Sequence, residues 1–168
     1  MIHTLSVLLE NKPGALVRVC QLFARRGFNI ESLAVGPTER HDVSRVTIRV
    51  KCDQQPLEQI EKQMHKLVNV LRVKELPPDE SVERELALIT ISAPPAQRAE
   101  LMALTEVFNA RVADVGPETL VFEIVGEPEE LDSFEELLRP HGIREMARTG
   151  RIGLRRASSR RPQLQRAN

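Results

Sequence analysis

The sequence predicts an α+β fold of two tandem ferredoxin-like units, each with the order βαββαβ. Three observations carry this. Stretches that alternate apolar and polar residues mark strands, and stretches with apolar residues three and four apart mark helices. The same six-element order then occurs twice. A Pro77-Pro78-Asp79-Glu80-Ser81 segment with linker chemistry separates the two runs.

In the first run, Leu5, Val7 and Leu9 alternate with polar residues and predict a strand that breaks at Asn11-Lys12-Pro13-Gly14. Leu16, Val19, Cys20 and Phe23 follow at helical spacing, with Gly27 placed to close that helix. Phe28 to Val35 reads as a second strand ended by Gly36-Pro37. Val46, Ile48 and Val50 alternate with polar neighbours in a third. Pro56 is read as opening a helix with Leu57, Ile60, Met64 and Leu67 on one side, and Val70 to Leu76 as the fourth strand. In the second run, Leu86 to Ser92 is a strand, Pro94-Pro95 opens a helix carrying Leu101, Leu104 and Phe108, and Arg111 to Val115 is a strand. Leu120 to Val125 follows, then a helix from Pro128 with Leu131, Phe134 and Leu138, then a strand from Ile143 to Arg148. The expected boundaries are residues 1–77, a linker at 78–82, a second unit at 83–150, and a mobile basic tail at 151–168.

Composition bounds the possibilities. The chain has 168 residues, 41% of them hydrophobic, which suits two small domains with real cores. It has no Trp, no Tyr and five Phe, so aliphatic cores are expected. Small cores bury little surface, so pairing of two copies would stabilise both. No apolar run is long enough to span a bilayer and no signal peptide is read at the start, so a cytoplasmic location is expected. The two cysteines, Cys20 and Cys52, have no metal or redox spacing, and Cys20 is expected in a core. Net charge is zero but unevenly spread. Residues 1–78 hold 12 Lys and Arg against 8 Asp and Glu, and residues 79–149 hold 6 against 16. Residues 150–168 hold six Arg and no acid.

Catalytic patterns are missing. There is no GxxxxGK[ST] phosphate loop and no GxGxxG. His3, His41, His65 and His141 are scattered, and His65 lies between Lys62 and Lys66 on a surface-like helix face. Ser6, Ser32 and Ser44 have no evident base. Glu129, Glu130, Glu135 and Glu136 read as a solvated helix face.

The informative segment is the first strand-to-helix turn, Asn11-Lys12-Pro13-Gly14-Ala15-Leu16. A helix N-terminus offers free N–H groups and partial positive charge, a seat for a carboxylate. Gly14 would let a ligand approach the backbone without a Cβ in its way. Asn11 can both donate and accept, which suits an α-amino acid. The same residues also fit a plain capped helix, with Asn11 as the cap. Asn29 is a second polar candidate, with a turn after Gly27 as its ordinary explanation.

The run LSVLLENKPGALVRVCQLFARRGFNIESLAVGPTE resembles the ACT domain of the small, regulatory subunits of acetohydroxyacid synthase, also called acetolactate synthase. The resemblance continues through SRVTIRV, LEQIEKQMHKLVNVLRVKEL and VERELALI, and more weakly to the end of the second unit. It implies a non-catalytic regulatory chain of branched-chain amino acid biosynthesis. Such a chain binds and activates a catalytic large subunit and confers feedback inhibition by valine, or by leucine or isoleucine. Thiamine diphosphate, a divalent metal and FAD would then sit on the catalytic partner, with no cofactor in this chain. Carried over by position, the effector site falls on Asn11, Gly14, Ala15 and Leu16, with Asn29 and Ile30 supplied across a homodimer interface of the ACT domains. Leu33 would add to an apolar wall. Asn11, Gly14, Ala15, Leu16, Asn29 and Ile30 all match the family pattern.

The second unit departs from that pattern. It reads Ser92-Ala93-Pro94-Pro95-Ala96 at the equivalent turn, where two prolines remove two N–H donors. An amino-acid ligand is not expected there. Two other functions fit less well. A stand-alone tandem-ACT sensor acting on another enzyme or on transcription would share the ligand site. A ferredoxin-like RNA binder would need strand aromatics that Val46-Thr47-Ile48 lacks. Neither nucleic acid nor membrane is an expected partner.

Overall fold

The computed structural model describes residues 1–159. The alternation at Leu5, Val7 and Leu9 belongs to β1 (Ile2–Glu10), which runs antiparallel to both β3 (Val43–Lys51) and β4 (Val70–Glu75). With β2 (Ile30–Pro37) the sheet order is β2-β3-β1-β4, the ferredoxin-like arrangement. Register sets the faces. Leu5 stands opposite Ile48 and Val7 opposite Val46, and all four are fully buried. Two helices cover that face: α1 (Ala15–Arg25) with Val19 and Phe23, and α2 (Gln54–Met64) with Leu57, Ile60 and Met64. Each such burial contributes about 1.5–3 kcal/mol.

The second unit repeats the plan. β5 (Ser81–Ser92), β6 (Arg111–Val115), β7 (Thr119–Gly126) and β8 (Ile143–Arg148) take the order β6-β7-β5-β8. The helices α3 (Arg98–Val107) and α4 (Pro128–Leu138) pack Leu101, Leu131, Phe134 and Leu138 on Ile89, Ile91, Phe122 and Ile124. This core is not purely aliphatic, as composition had suggested. Phe134 lies 5.2 Å from Phe108 and 6.0 Å from Phe122, ring centroid to centroid. A reciprocal capping box between Glu127 and Glu130 starts α4.

The chain forms two compact units: Met1–Glu83 with the segment from Ile152, and Arg84–Arg151. The bounds therefore differ from the expected ones. Pro78–Glu80 is a single 3-10 turn, and Ser81 already belongs to β5, its buried hydroxyl donating to Pro77 O at 2.7 Å. The tail begins with structure. Ile152–Arg155 forms β9, which pairs with β5. A Cβ at Gly153 would stand 2.9 Å from Leu76 Cδ1, so a larger residue here would displace that side chain. The tail from residue 160 lies outside the described residues. Pro94-Pro95 opens a 3-10 turn (Pro95–Gln97) rather than the helix itself, which starts at Arg98. Cys20 is half-buried instead of lying in the core.

The acidic face of α4 is also less solvated than its composition implied. Arg148 bonds Glu85 at 2.7 Å and Asp132 at 2.6 Å and lies 3.7 Å from Glu135. Arg139 bonds Glu135, and Arg151 reaches Glu129 at 3.5 Å. Burial works against the Arg148 charge, but the hydrogen bonds from Glu85 and Asp132 outweigh it and raise its pKa.

Candidate functional site

At the start of α1 the chain turns on Gly14, whose φ of 82° is in the left-handed region that glycine occupies without strain. Gly14, not Asn11, is the N-cap residue, and no side chain caps the helix. Ala15 N is used, donating to Lys12 O at 3.2 Å. The N–H groups of Leu16 and Val17 emerge from the first turn with no capping side chain. No acidic residue stands in that turn, and nothing lies within 4 Å of where a Gly14 Cβ would be. The result is an exposed donor cluster at the positive end of an eleven-residue helix.

Asn11 is held beside this cluster by the β2–β3 turn. Its N–H donates to Asp42 O at 2.8 Å and its side-chain amide to His41 O at 3.1 Å. One amide proton and the carbonyl oxygen of that side chain stay available. The neighbouring charges are spoken for. Asn69 at 2.7 Å and Lys12 at 3.2 Å hold the Glu10 carboxyl below the usual range, and Arg40 does the same for Asp42. Ala15 is buried, and Leu16 packs against the first core.

Asn29 and Ile30 sit elsewhere in the same chain. They follow the C-terminal end of α1, while Asn11 and Gly14 precede its N-terminal end. A helix of this length spans about 16 Å. One chain therefore does not bring all six residues to a single small ligand. Asn29 is exposed and its amide bonds Glu31 at 3.2 Å. Ile30 begins β2, an edge strand, and packs with Leu33 against the first core. The His41 and Asp42 carbonyls were missed by sequence reasoning, because main-chain acceptors carry no side-chain signature.

The equivalent turn of the second unit is closed. Arg98 Nε donates to Ala93 O at 3.1 Å, and its Nη2 bonds both Gly116 O and Pro117 O at 2.6 Å. A guanidinium thus ties the α3 turn to the β6–β7 turn, where Asn11 ties the α1 turn to the β2–β3 turn. Among the described residues, no group of three or more His, Cys, Asp and Glu is arranged to hold a metal, and no helix is long and apolar enough to cross a membrane.

A four-stranded antiparallel sheet under two helices, with an open glycine turn leading into the first helix, is the architecture of an ACT domain, and that places the molecule among ACT-domain proteins. Residues 5–72 match the family profile described as an AHAS small subunit-like ACT domain, and residues 84–157 match that of the small subunit of acetolactate synthase. The chain is 51% identical over 154 residues to the acetolactate synthase small subunit of Mycolicibacterium smegmatis, covering 92% of this chain and 91% of that protein. It is 48% identical over 160 residues to the "Probable acetolactate synthase small subunit" of Archaeoglobus fulgidus, covering 95% and 100%. The crystal structure of the acetolactate synthase small subunit from Thermotoga maritima superposes with a TM-score of 0.86 at 41% identity, over 93% of this chain and 98% of that one. The chain belongs to the acetolactate synthase small-subunit family.

Proposed function

We propose that this chain is the regulatory subunit that activates a catalytic acetolactate synthase subunit and makes it sensitive to valine. Family membership supports a non-catalytic partner role. One observation carries the effector site: an uncapped α1 N-terminus behind Gly14, exposed and with no acidic residue in its first turn. The Leu16 and Val17 N–H groups would receive the carboxylate. Asn11 would orient the charged end, and Leu16 would line the branched side chain.

The remaining contacts, from Asn29 and Ile30, would come from a second copy. Their separation from Gly14 within one chain supports a site between two chains. So does the edge position of β2, where Val35 is 47% exposed. A ligand shared by two chains favours one mode of pairing over another, which is the lever an effector needs. Thiamine diphosphate, metal and FAD would belong to the catalytic subunit, and this chain would carry the amino acid alone.

The test is acetolactate formation by the catalytic chain alone, with this chain, and with this chain plus valine. The expected order is low, high and reduced. Equal rates in all three would refute the proposal. Leucine and isoleucine in place of valine rank the effectors.

A further inference from the structure

In the first sheet, the side chains that alternate with the buried ones point away from α1 and α2. Register places them. Arg45 and Arg72 flank Leu8, Lys74 stands beside Ser6, and Arg49 lies between Thr4 and Ser32. Strands lie about 4.8 Å apart and residues rise about 3.3 Å each, so these four cations share a patch of about 10 by 13 Å. Arg72 and Lys74 are exposed, and Arg45 and Arg49 are half-buried. Arg45 Nη1 donates to Ser6 Oγ at 2.9 Å, a neutral partner. Among the described residues, none of the four forms an ion pair with a carboxylate. Glu10, further along β1, is already held by Asn69 and Lys12. The Arg49 Nε–H and the hydroxyl of Ser32, its neighbour in register, are both buried and bond to nothing among the described residues.

Like charges crowded this closely repel one another, and an unpaired buried donor is costly; an opposing anion relieves both. The side chains say which kind of anion fits. Three of the four cations are arginines, whose planar forks match carboxylates with paired hydrogen bonds, and Ser6, Ser32 and Thr47 set hydroxyls between them. A nucleic acid fits less well. Sheets that read RNA stack bases on aromatic side chains, and this face has none among Thr4, Ser6, Leu8, Ser32, Ala34 and Thr47. A second copy laid on the same face would set cation against cation. An acidic protein surface suits it.

We propose that this face of the first sheet docks a carboxylate-rich surface of the catalytic subunit through Arg45, Arg49, Arg72 and Lys74. This rests on the regulatory-subunit reading and adds the surface by which the chain holds its partner. The strands that carry the cations also frame the effector turn. β1 runs directly into Asn11, and β3 leaves the turn whose His41 and Asp42 carbonyls hold Asn11.

The test uses the full chain and the catalytic subunit. Binding is measured by calorimetry for the wild type, for an Arg72→Glu/Lys74→Glu double variant, and for an Arg25→Glu/Lys66→Glu control. The control makes the same charge change at exposed positions on the helix side. The replaced side chains are exposed, so melting temperature and sedimentation of the isolated chains should match the wild type. The expected result is a loss of at least tenfold in affinity for the catalytic subunit in the Arg72/Lys74 variant and less than threefold in the control. Wild-type binding should weaken as salt rises. Unchanged affinity in the Arg72/Lys74 variant overturns the docking face while leaving the regulatory reading intact. Equal losses in both double variants assign the effect to net charge and also overturn it. A labelled RNA retained by the wild type and released by the Arg72/Lys74 variant, with affinity for the catalytic subunit unchanged, marks the face as a nucleic-acid surface instead. A variant whose own self-association changes marks it as a contact between copies, which likewise overturns the proposal. A wild-type chain that neither binds nor activates the catalytic subunit overturns this proposal and the regulatory reading together.

Discussion

At the start of α1 the backbone turns on Gly14 and leaves donors open; at the start of α3 it turns on Pro94 and Pro95, and Arg98 ties that turn shut. The sheet orders are the same, the helices cover the same face, and the two cores are of similar size. The fold therefore does not decide which unit takes a ligand. What differs is four or five residues of turn chemistry, which set how many N–H groups remain open and whether a side chain already occupies the space. The second unit spends its polar groups on itself, through Arg98 on three carbonyls and Arg148 on a buried Glu85. The first leaves a helix end uncapped, the feature on which the proposed effector site rests.

This contrast can be broken by substitution. The largest effect is expected at Gly14→Asp. A side chain at φ 82° enters the ligand's approach, and its charge repels a carboxylate at the helix start. Valine binding by calorimetry should fall at least about a hundredfold, as a lost charged hydrogen bond and an added repulsion of roughly 1.5 kcal/mol each require. Activation of the catalytic subunit should persist. Wild-type valine affinity in this variant would remove the turn from the site.

Next comes Arg148→Met, which strands the 7% exposed Glu85 without its cation. Because Arg148 is itself 23% exposed, the low end of the usual cost applies, about 3 kcal/mol by denaturant unfolding. Valine binding should not change. Arg98→Ala should cost the second unit about 1.5–3 kcal/mol through its lost carbonyl contacts. It should still not create a valine site, because Pro94 and Pro95 supply no donors. Valine binding gained at that turn would show that Arg98 alone closes it.

Asn11→Ser is a cleaner test than sequence alone suggested, because Asn11 is not the cap. Stability should change by less than about 0.5 kcal/mol, while valine affinity falls roughly tenfold. Asn29→Ser should act similarly, and the double variant should be less than additive if both serve one ligand. Strict additivity would mean separate roles. The smallest effect is expected at Glu61, where burial, and then repulsion from Glu75, raises the carboxyl pKa. A raised carboxyl contributes stability below its unfolded pKa of about 4.3 and loses it as pH rises. Glu61→Gln should thus raise the melting temperature at pH 7 and give no gain at pH 4.

Much of this was legible in the sequence because each sheet turns one apolar face to its two helices, so Leu5-Val7-Leu9 and Val46-Ile48-Val50 alternate with other residues. The Gly14 turn was legible because its residue types follow from the local conformation. β9 was not. Two apolar residues flanking Gly153 amid arginines look like a tail, and only the distant Leu76 explains the glycine. The early start of β5 was hidden in the same way by charged Glu83 and Arg84. The clamp made by Arg98 joins residues far apart in the chain through main-chain oxygens, which leave no trace in composition. That Asn11 does not cap the helix was visible only from the position of Gly14.

The central claim is that the first unit binds the effector and the second does not. Amide chemical shifts of the full chain, followed as valine is added, address it directly. The account predicts saturable shifts at Asn11, Gly14 to Val17, Asn29 and Ile30, with Ala93 to Arg98 unmoved. Shifts centred on the Pro94-Pro95 turn, or none at the Gly14 turn under saturating valine, would contradict it.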